Sequence, residues 1–337
     1  MMSNRHVVLK RAPAAMPKAS DFEVVACPMP TGPAADGLLL RVIALSMDPY
    51  LGGRLRGRHM GEPAPAPGAP LPGFAVAQVV ESAHPDYQPG EYVVTETGWT
   101  QWAAVPAAGA RKVSPAGVPI SAHLGVLGMP GLTAWAGVTQ LAKVKQGDVF
   151  VVDAAAGAVG GTAGQIARNL GARTIGIAGG PEKGALVTGT YGFDACVDYK
   201  VEGWQAQLKA ATTPGPTVHF ENVGDSVLQA VFPMLQINGR VVLCGLAEHY
   251  HTEGKPPALL VGPIVGKRAV IYGLVVYDFY SRLAEWVAMA TPWIAEKKLA
   301  VHEDVAEGLD NAPAHFERML KGQHLGKAIV RVGPDHV

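Results

Sequence analysis

Cysteine is scarce in this chain: Cys27, Cys196 and Cys244 stand far apart and form no C-x-x-C pair. That excludes a disulfide framework and a cysteine-rich metal cluster, leaving separate buried thiols as the plain reading. Long apolar runs are also missing. None reaches the roughly 18–20 residues that span a bilayer, and Val7-Val8-Leu9 is too short for the core of a signal peptide. The expectation is a cytoplasmic protein with no membrane partner. An excess of either charge sign is absent as well, with 28 basic and 28 acidic residues and no run of like charge. Nucleic-acid and membrane-surface binding both lean on clustered Lys and Arg, so neither is expected. Charged residues make up 17% of the chain against 48% apolar, which suits a large, well-buried α/β enzyme.

At 337 residues the chain is long for one core and comfortable for two domains. The first 118 residues read as short strands and turns. Leu38–Leu45, Ala75–Glu81 and Glu91–Val94 are strand candidates, and the proline-rich stretch Pro63–Pro72 is a loop. From about residue 121 helices and strands alternate. Helices are predicted over Ala122–Leu127, Thr133–Leu141, Thr162–Leu170, Lys183–Tyr191 and Leu283–Lys297. Strands are predicted over Val149–Val152, Thr174–Ala178, Ala195–Asp198, Val218–Glu221, Gly239–Cys244 and Val270–Val276. Alternation of this kind implies a parallel sheet covered on both faces. The alternating Lys327–Val332 reads as a strand returning to the first domain. The expected architecture is therefore an α/β, doubly wound parallel sheet, residues 121–298, inserted in a β-rich domain formed by 1–120 and 299–337.

The strand Phe150-Val151-Val152 runs into a glycine turn, Ala154-x-x-Gly157-x-x-Gly160, and then a helix. A strand, a tight turn and a helix N-terminus bring backbone N–H groups and partial positive charge to a pyrophosphate. The first glycine of the usual G-x-G-x-x-G pattern is not kept. The next strand ends Ile177-Ala178-Gly179-Gly180, without the carboxylate that an NAD site places on the ribose 2′-OH. Small residues leave room for a 2′-phosphate and Lys183 offers a point charge to it, so NADP is favoured over NAD despite Glu182 alongside.

Six segments, that loop among them, together carry a resemblance. Leu45–Tyr50, Leu127–Ala134, the Ala154–Gly160 loop, Phe220-Glu221-Asn222-Val223-Gly224, Cys244-Gly245-Leu246 and Glu303–Pro313 lie in the order of a medium-chain dehydrogenase/reductase. They most resemble its zinc-independent branch of prostaglandin reductases, 2-alkenal double-bond reductases and curcumin reductase-like enzymes. The resemblance implies a GroES-like catalytic domain, a Rossmann domain, NADPH, and reduction of a carbon–carbon double bond conjugated to a carbonyl. It places Gly157, Ala158, Val159 and Gly160 on the phosphates, and Lys183 and Tyr199 on the 2′-phosphate, beside Gly179. Asn222, Cys244, Gly245 and Tyr250 fall along the rest of the cofactor, and Tyr50 and Tyr250 on the substrate side. It also implies a homodimer. The chain departs from the family at Glu248-His249-Tyr250-His251, at His324 and at Gly73-Phe74-Ala75-Val76.

A catalytic zinc of the alcohol-dehydrogenase type is not expected, because Ser46-Met47-Asp48 and Gly73-Phe74-Ala75 lack its Cys and His ligands. His249-x-His251 has no third partner nearby in sequence. Without a metal, a hydrogen-bond donor must stabilise the enolate-like oxygen, and Tyr250 is the candidate, with Tyr50 orienting the substrate. The small-molecule partner is then an α,β-unsaturated ketone or aldehyde. Two other readings stay open: an NADPH quinone oxidoreductase, and a non-catalytic NADPH-binding protein.

Overall fold

A computed structural model describes residues 3–115, 117–250 and 261–334. The chain divides into two compact units, Met1–Gly125 with Glu303–Val337, and Val126–His302. The junctions at 125/126 and 302/303 compare with 120/121 and 298/299 from the sequence.

The first unit is built on one long strand, Gly37–Ser46, whose residues are buried along almost its whole length. It pairs antiparallel with Phe74–Ser82, with Trp102–Pro106 and with Lys327–Arg331. The last of these binds Glu303–Glu307 in parallel, so the C-terminal segment does return to the first unit's sheet. Phe22, Trp99 and Phe316 meet in its core, with Trp99 and Phe316 edge to face at 5.2 Å between ring centroids. Pro63–Pro72 lies outside any strand or helix, as its prolines dictate.

In the second unit we number the strands β1 Val149–Val152, β2 Arg173–Ala178, β3 Ala195–Asp198, β4 Val218–Glu221, β5 Arg240–Leu243 and β6 Val270–Gly273. All pairings among them are parallel and the spatial order is β3-β2-β1-β4-β5-β6. This is the order of a dinucleotide-binding Rossmann sheet. β1 and β4 are buried at every residue; β1 reads as an unbroken apolar run, whereas β4 carries His219 and Glu221 into that buried environment. The edge strand β6 is only partly covered.

Several helices differ from their sequence-based limits. The one predicted from Thr162 begins at Ala158 and runs to Asn169; it is α1 here. Ala-Val-Gly-Gly has weak helix propensity, and packing on the sheet overrides it. The segment predicted over Ala122–Leu127 is a single 3₁₀ stretch, Ile120–Leu124. The helix predicted from Thr133 starts at Met129, and from Ala136 to Leu141 it widens to i→i+5 bonding, with Ala142 N–H donating to Gly137 O at 2.9 Å. Short helices Pro181–Ala185 (α2), Trp204–Thr212 (α3) and Asp225–Val231 (α4) link successive strands, and α3 and α4 carried no clear sequence signal.

Candidate functional site

The strand order of the second unit reverses between β1 and β4. At such a switch point the connections leave in opposite directions and open a crevice beyond the carboxyl ends of the strands. The sequence-predicted cofactor residues fall on the turns and helix starts that follow the strands along that edge.

β1 hands over to α1 through a turn in which Ala154 takes φ 45°, the left-handed region that glycine usually supplies. Gly157 is the residue before α1, and Gly157 N–H donates to Ala154 O at 2.8 Å. Inside the helix, a Cβ on Gly160 would stand 2.5 Å from Ala154 O and 2.7 Å from Asp153 O. Glycine there lets the first turn of the helix rest on the strand end. No side chain caps α1, and its leading N–H groups, at Ala158, Val159 and Gly160, are what a phosphate binds.

At the tips of β2 and β3, Gly179 faces Tyr199. A Cβ on Gly179 would lie 2.9 Å from Tyr199 Cε1 and 2.8 Å from Lys200 Cε. Lys183 lies on α2, which starts beside this tip. The structure thus brings together the 2′-phosphate candidates Gly179, Tyr199 and, one helix turn on, Lys183. It adds Lys200, which the sequence reading passed over. Lys200 N–H donates to Asp198 Oδ1 at 2.9 Å, fixing the backbone at this corner.

At the tips of β1 and β4 lies a group of polar residues that sequence reasoning missed. Asp153, His219 and Glu221 have no exposed surface. His219 Nε2 is 3.5 Å from Asp153 Oδ2 and 3.4 Å from Glu221 Oε2. Burial pushes both carboxyls above the ordinary range, Glu221 further because the Asp153 charge adds to the effect, and burial lowers His219. The arrangement therefore holds a protonated Glu221 facing Asp153, beside a neutral imidazole. The outer oxygens tie down the next turn: Asp153 Oδ1 accepts from Asn222 N–H at 2.7 Å, and Glu221 Oε1 accepts from Val223 and Gly224 N–H at 2.7 and 2.6 Å. The Asn222 side-chain amide donates to Asp153 O at 3.2 Å, so its carbonyl oxygen is the acceptor left for a ligand.

The segment from Cys244 to Tyr250 rests on this turn. Cys244 N–H donates to Glu221 O at 2.9 Å, Ala247 N–H to Asn222 O at 3.2 Å and Glu248 N–H to Val223 O at 2.9 Å. Gly245 approaches closely, since a Cβ there would be 2.7 Å from Asn222 O. Burial raises the Cys244 thiol to about 12, so it stays protonated at neutral pH. Burial likewise raises the Tyr250 phenol and keeps it a donor. His249 packs over Gly224, and its Nε2 is 3.9 Å from Asp225 Oδ2. His251 lies outside the described residues.

Tyr50 belongs to the first unit, at the start of a short helix, Tyr50–Arg54, with its ring 4.9 Å from that of His59. The preceding segment has its own buried partner. Lys327 Nζ donates to Asp48 Oδ1 at 2.6 Å and to Met47 O at 2.8 Å, while Ser46 Oγ donates to Asp48 Oδ2 at 2.5 Å. Each Asp48 carboxylate oxygen thus accepts a hydrogen bond, one from a lysine and one from a serine.

Two family models match: an N-terminal domain of oxidoreductase over residues 5–113, and a zinc-binding dehydrogenase over residues 158–295. The chain is 36% identical to the NADPH-dependent curcumin reductase of Escherichia coli, over 98% of each chain. It is 35% identical to the NADP(+)-dependent 2-alkenal reductase of Nicotiana tabacum, again over 98% of each. Its fold matches that of CurA from Vibrio vulnificus, solved in complex with NADPH, with a TM-score of 0.91 and 36% identity over 98% of this chain and 99% of that one.

Proposed function

The chain belongs to the zinc-independent medium-chain dehydrogenase/reductases, in the branch of curcumin, 2-alkenal and prostaglandin reductases, and from that premise we propose that it reduces the carbon–carbon double bond of α,β-unsaturated ketones and aldehydes with NADPH. The observation that carries this reading is the site at the tips of β1, β2 and β4. There, in the sheet order β2, β1, β4, a lysine- and tyrosine-lined glycine tip, an uncapped helix N-terminus and an asparagine carbonyl follow one another in the order of NADPH's own parts.

The residues fit the cofactor. The turn Gly157–Gly160 would hold the pyrophosphate through N–H groups of α1. Lys183 would pair with the 2′-phosphate, with Lys200 a second positive charge at the same tip and Tyr199 on the side of the adenosine end. When bound, NADPH supplies the hydride. The chain's own residues bind, orient and hold the proton. Tyr250 donates its phenolic hydrogen to the substrate carbonyl oxygen, where negative charge gathers as the β-carbon becomes saturated. Its raised pKa keeps that hydrogen in place at neutral pH. Solvent protonates the α-carbon, so no further acid is needed. Tyr50 orients the substrate.

Following NADPH consumption with separate enals, enones and quinones tests this reading. Turnover of enals and enones supports it. Turnover of quinones alone favours a quinone oxidoreductase, and binding without turnover favours a non-catalytic role.

A homodimer is part of the proposal. β6 ends the sheet, with Val270 44% exposed and Tyr277 just beyond it 43% exposed, an apolar edge suited to a second copy. Light scattering on the purified protein checks it: a mass of one chain refutes the dimer.

A further inference from the structure

The three fully buried polar residues Asp153, His219 and Glu221 sit at the strand ends that flank the switch point, where the sheet's ligand crevice opens. Burying two carboxyls and an imidazole is costly, and a core made only for stability would use apolar side chains. What the two carboxyls hold, together with the Asp153 main-chain carbonyl, is specific. Four hydrogen bonds converge on residues 222–224: Asp153 Oδ1 on the Asn222 N–H, Asp153 O on the Asn222 amide, and Glu221 Oε1 on the N–H groups of Val223 and Gly224. Both polar handles of Asn222 on this side are therefore fixed by a single residue, Asp153.

The direction of the remaining handle follows from the sheet. The β2 and β3 tips, with Gly179, Tyr199 and Lys183, take the adenosine end, and the N-terminus of α1 takes the pyrophosphate. The other half of a dinucleotide then lies over β4 and β5, on the far side of the switch point, where Asn222 stands. With one amide N–H donated to Asp153 O, the amide is held in one orientation, and its carbonyl oxygen is an acceptor matched to ribose hydroxyls and to a carboxamide N–H.

We propose that Asp153 is a positioning residue of the nucleotide site, holding Asn222 so that its side-chain carbonyl meets the ribose–nicotinamide half of NADPH. Glu221 and His219 complete the buried support: the inner oxygens of Asp153 and Glu221 both face His219 Nε2, at 3.5 and 3.4 Å, and the outer oxygen of Asp153 is left for Asn222. The inference rests on the NADPH reading, not on the identity of the substrate.

The test is direct titration of NADPH by its fluorescence, with no substrate present, on the native protein and on Asp153→Ala, Asn222→Ala and the double variant. Asp153→Ala is expected to weaken NADPH binding about tenfold, a loss of one hydrogen bond to a site group. Asp153→Asn keeps the outer oxygen and is expected to recover affinity to within about threefold of native, by the same reasoning. Because Asp153 acts through Asn222, the double variant should bind no more weakly than Asn222→Ala alone. Asp153→Leu, similar in size and without polar atoms, serves if the alanine variant does not fold. Additive effects of Asp153→Ala and Asn222→Ala, or an Asp153→Asn protein as impaired as Asp153→Ala, would overturn the proposal. So would one metal ion per native chain that is lost in Asp153→Ala, since the three inward atoms lie within 4.8 Å of one another and would then be a ligand set. If the native chain binds NADPH but reduces no enone, the substrate reading fails and this measurement still stands.

Discussion

The Tyr199 ring fills the volume that a side chain on residue 179 would need, with Cε1 only 2.9 Å from where the Cβ of Gly179 would be. The pair makes the tip of β2 smooth on one side and aromatic on the other, and it places Lys183 and Lys200 at the corner where a 2′-phosphate would sit. Lys183→Ala is expected to weaken NADPH binding by about 10- to 100-fold, the range for losing a charged hydrogen bond, and NADH binding hardly at all. Fluorescence titration with both nucleotides reads the ratio. Equal losses would remove Lys183 from the 2′-phosphate.

Gly179→Asp should be worse for NADPH than Gly179→Ala. Both displace Tyr199, and the carboxylate also repels the 2′-phosphate. The expected sign of the selectivity change is toward NADH, read from the same pair of titrations. An Asp variant that keeps the native preference would contradict the assignment of this corner.

Tyr250→Phe removes one donor and little volume. Turnover is expected to fall by about 100-fold, as for loss of an oxyanion donor, with NADPH affinity nearly intact. Unchanged turnover in steady-state kinetics would confine Tyr250 to lining the site.

Lys327 and Asp48 form a buried ion pair, 5% and 7% exposed. Lys327→Met leaves the Asp48 charge uncompensated and is expected to cost about 3–5 kcal/mol, seen in urea denaturation. Adding Asp48→Leu should recover much of that loss. The same pair accounts for a second expectation: dialysis against a chelator leaves the reductase rate unchanged. Loss of activity on chelation, restored by zinc, would reopen a metal role.

The chemistry of the cofactor site was written in the chain more plainly than its supports. Short apolar strands bounded by glycine and a glycine turn before a helix are local signals, and each fell in the β-α-β order of the observed sheet. Helix limits were less legible, because Ala158–Gly161 owes its helical form to close packing against the strand end, a tertiary effect. Asp153 and His219 were not legible from local pattern alone. A polar residue at the end of a strand reads as the start of a loop, and His219 reads as an ordinary strand residue until both faces of β4 are seen to be covered. The inward-facing polarity of Val218-His219-Phe220-Glu221, a strand buried at every position, was the clue available.

The proposed reaction passes hydride from NADPH to the β-carbon of an enone. The direct measurement is reduction of one simple enone with NADPH carrying deuterium at the transferred C4 position, followed by mass and NMR analysis of the product. A saturated ketone with one deuterium on the β-carbon is expected. An allylic alcohol labelled at the former carbonyl carbon would contradict it.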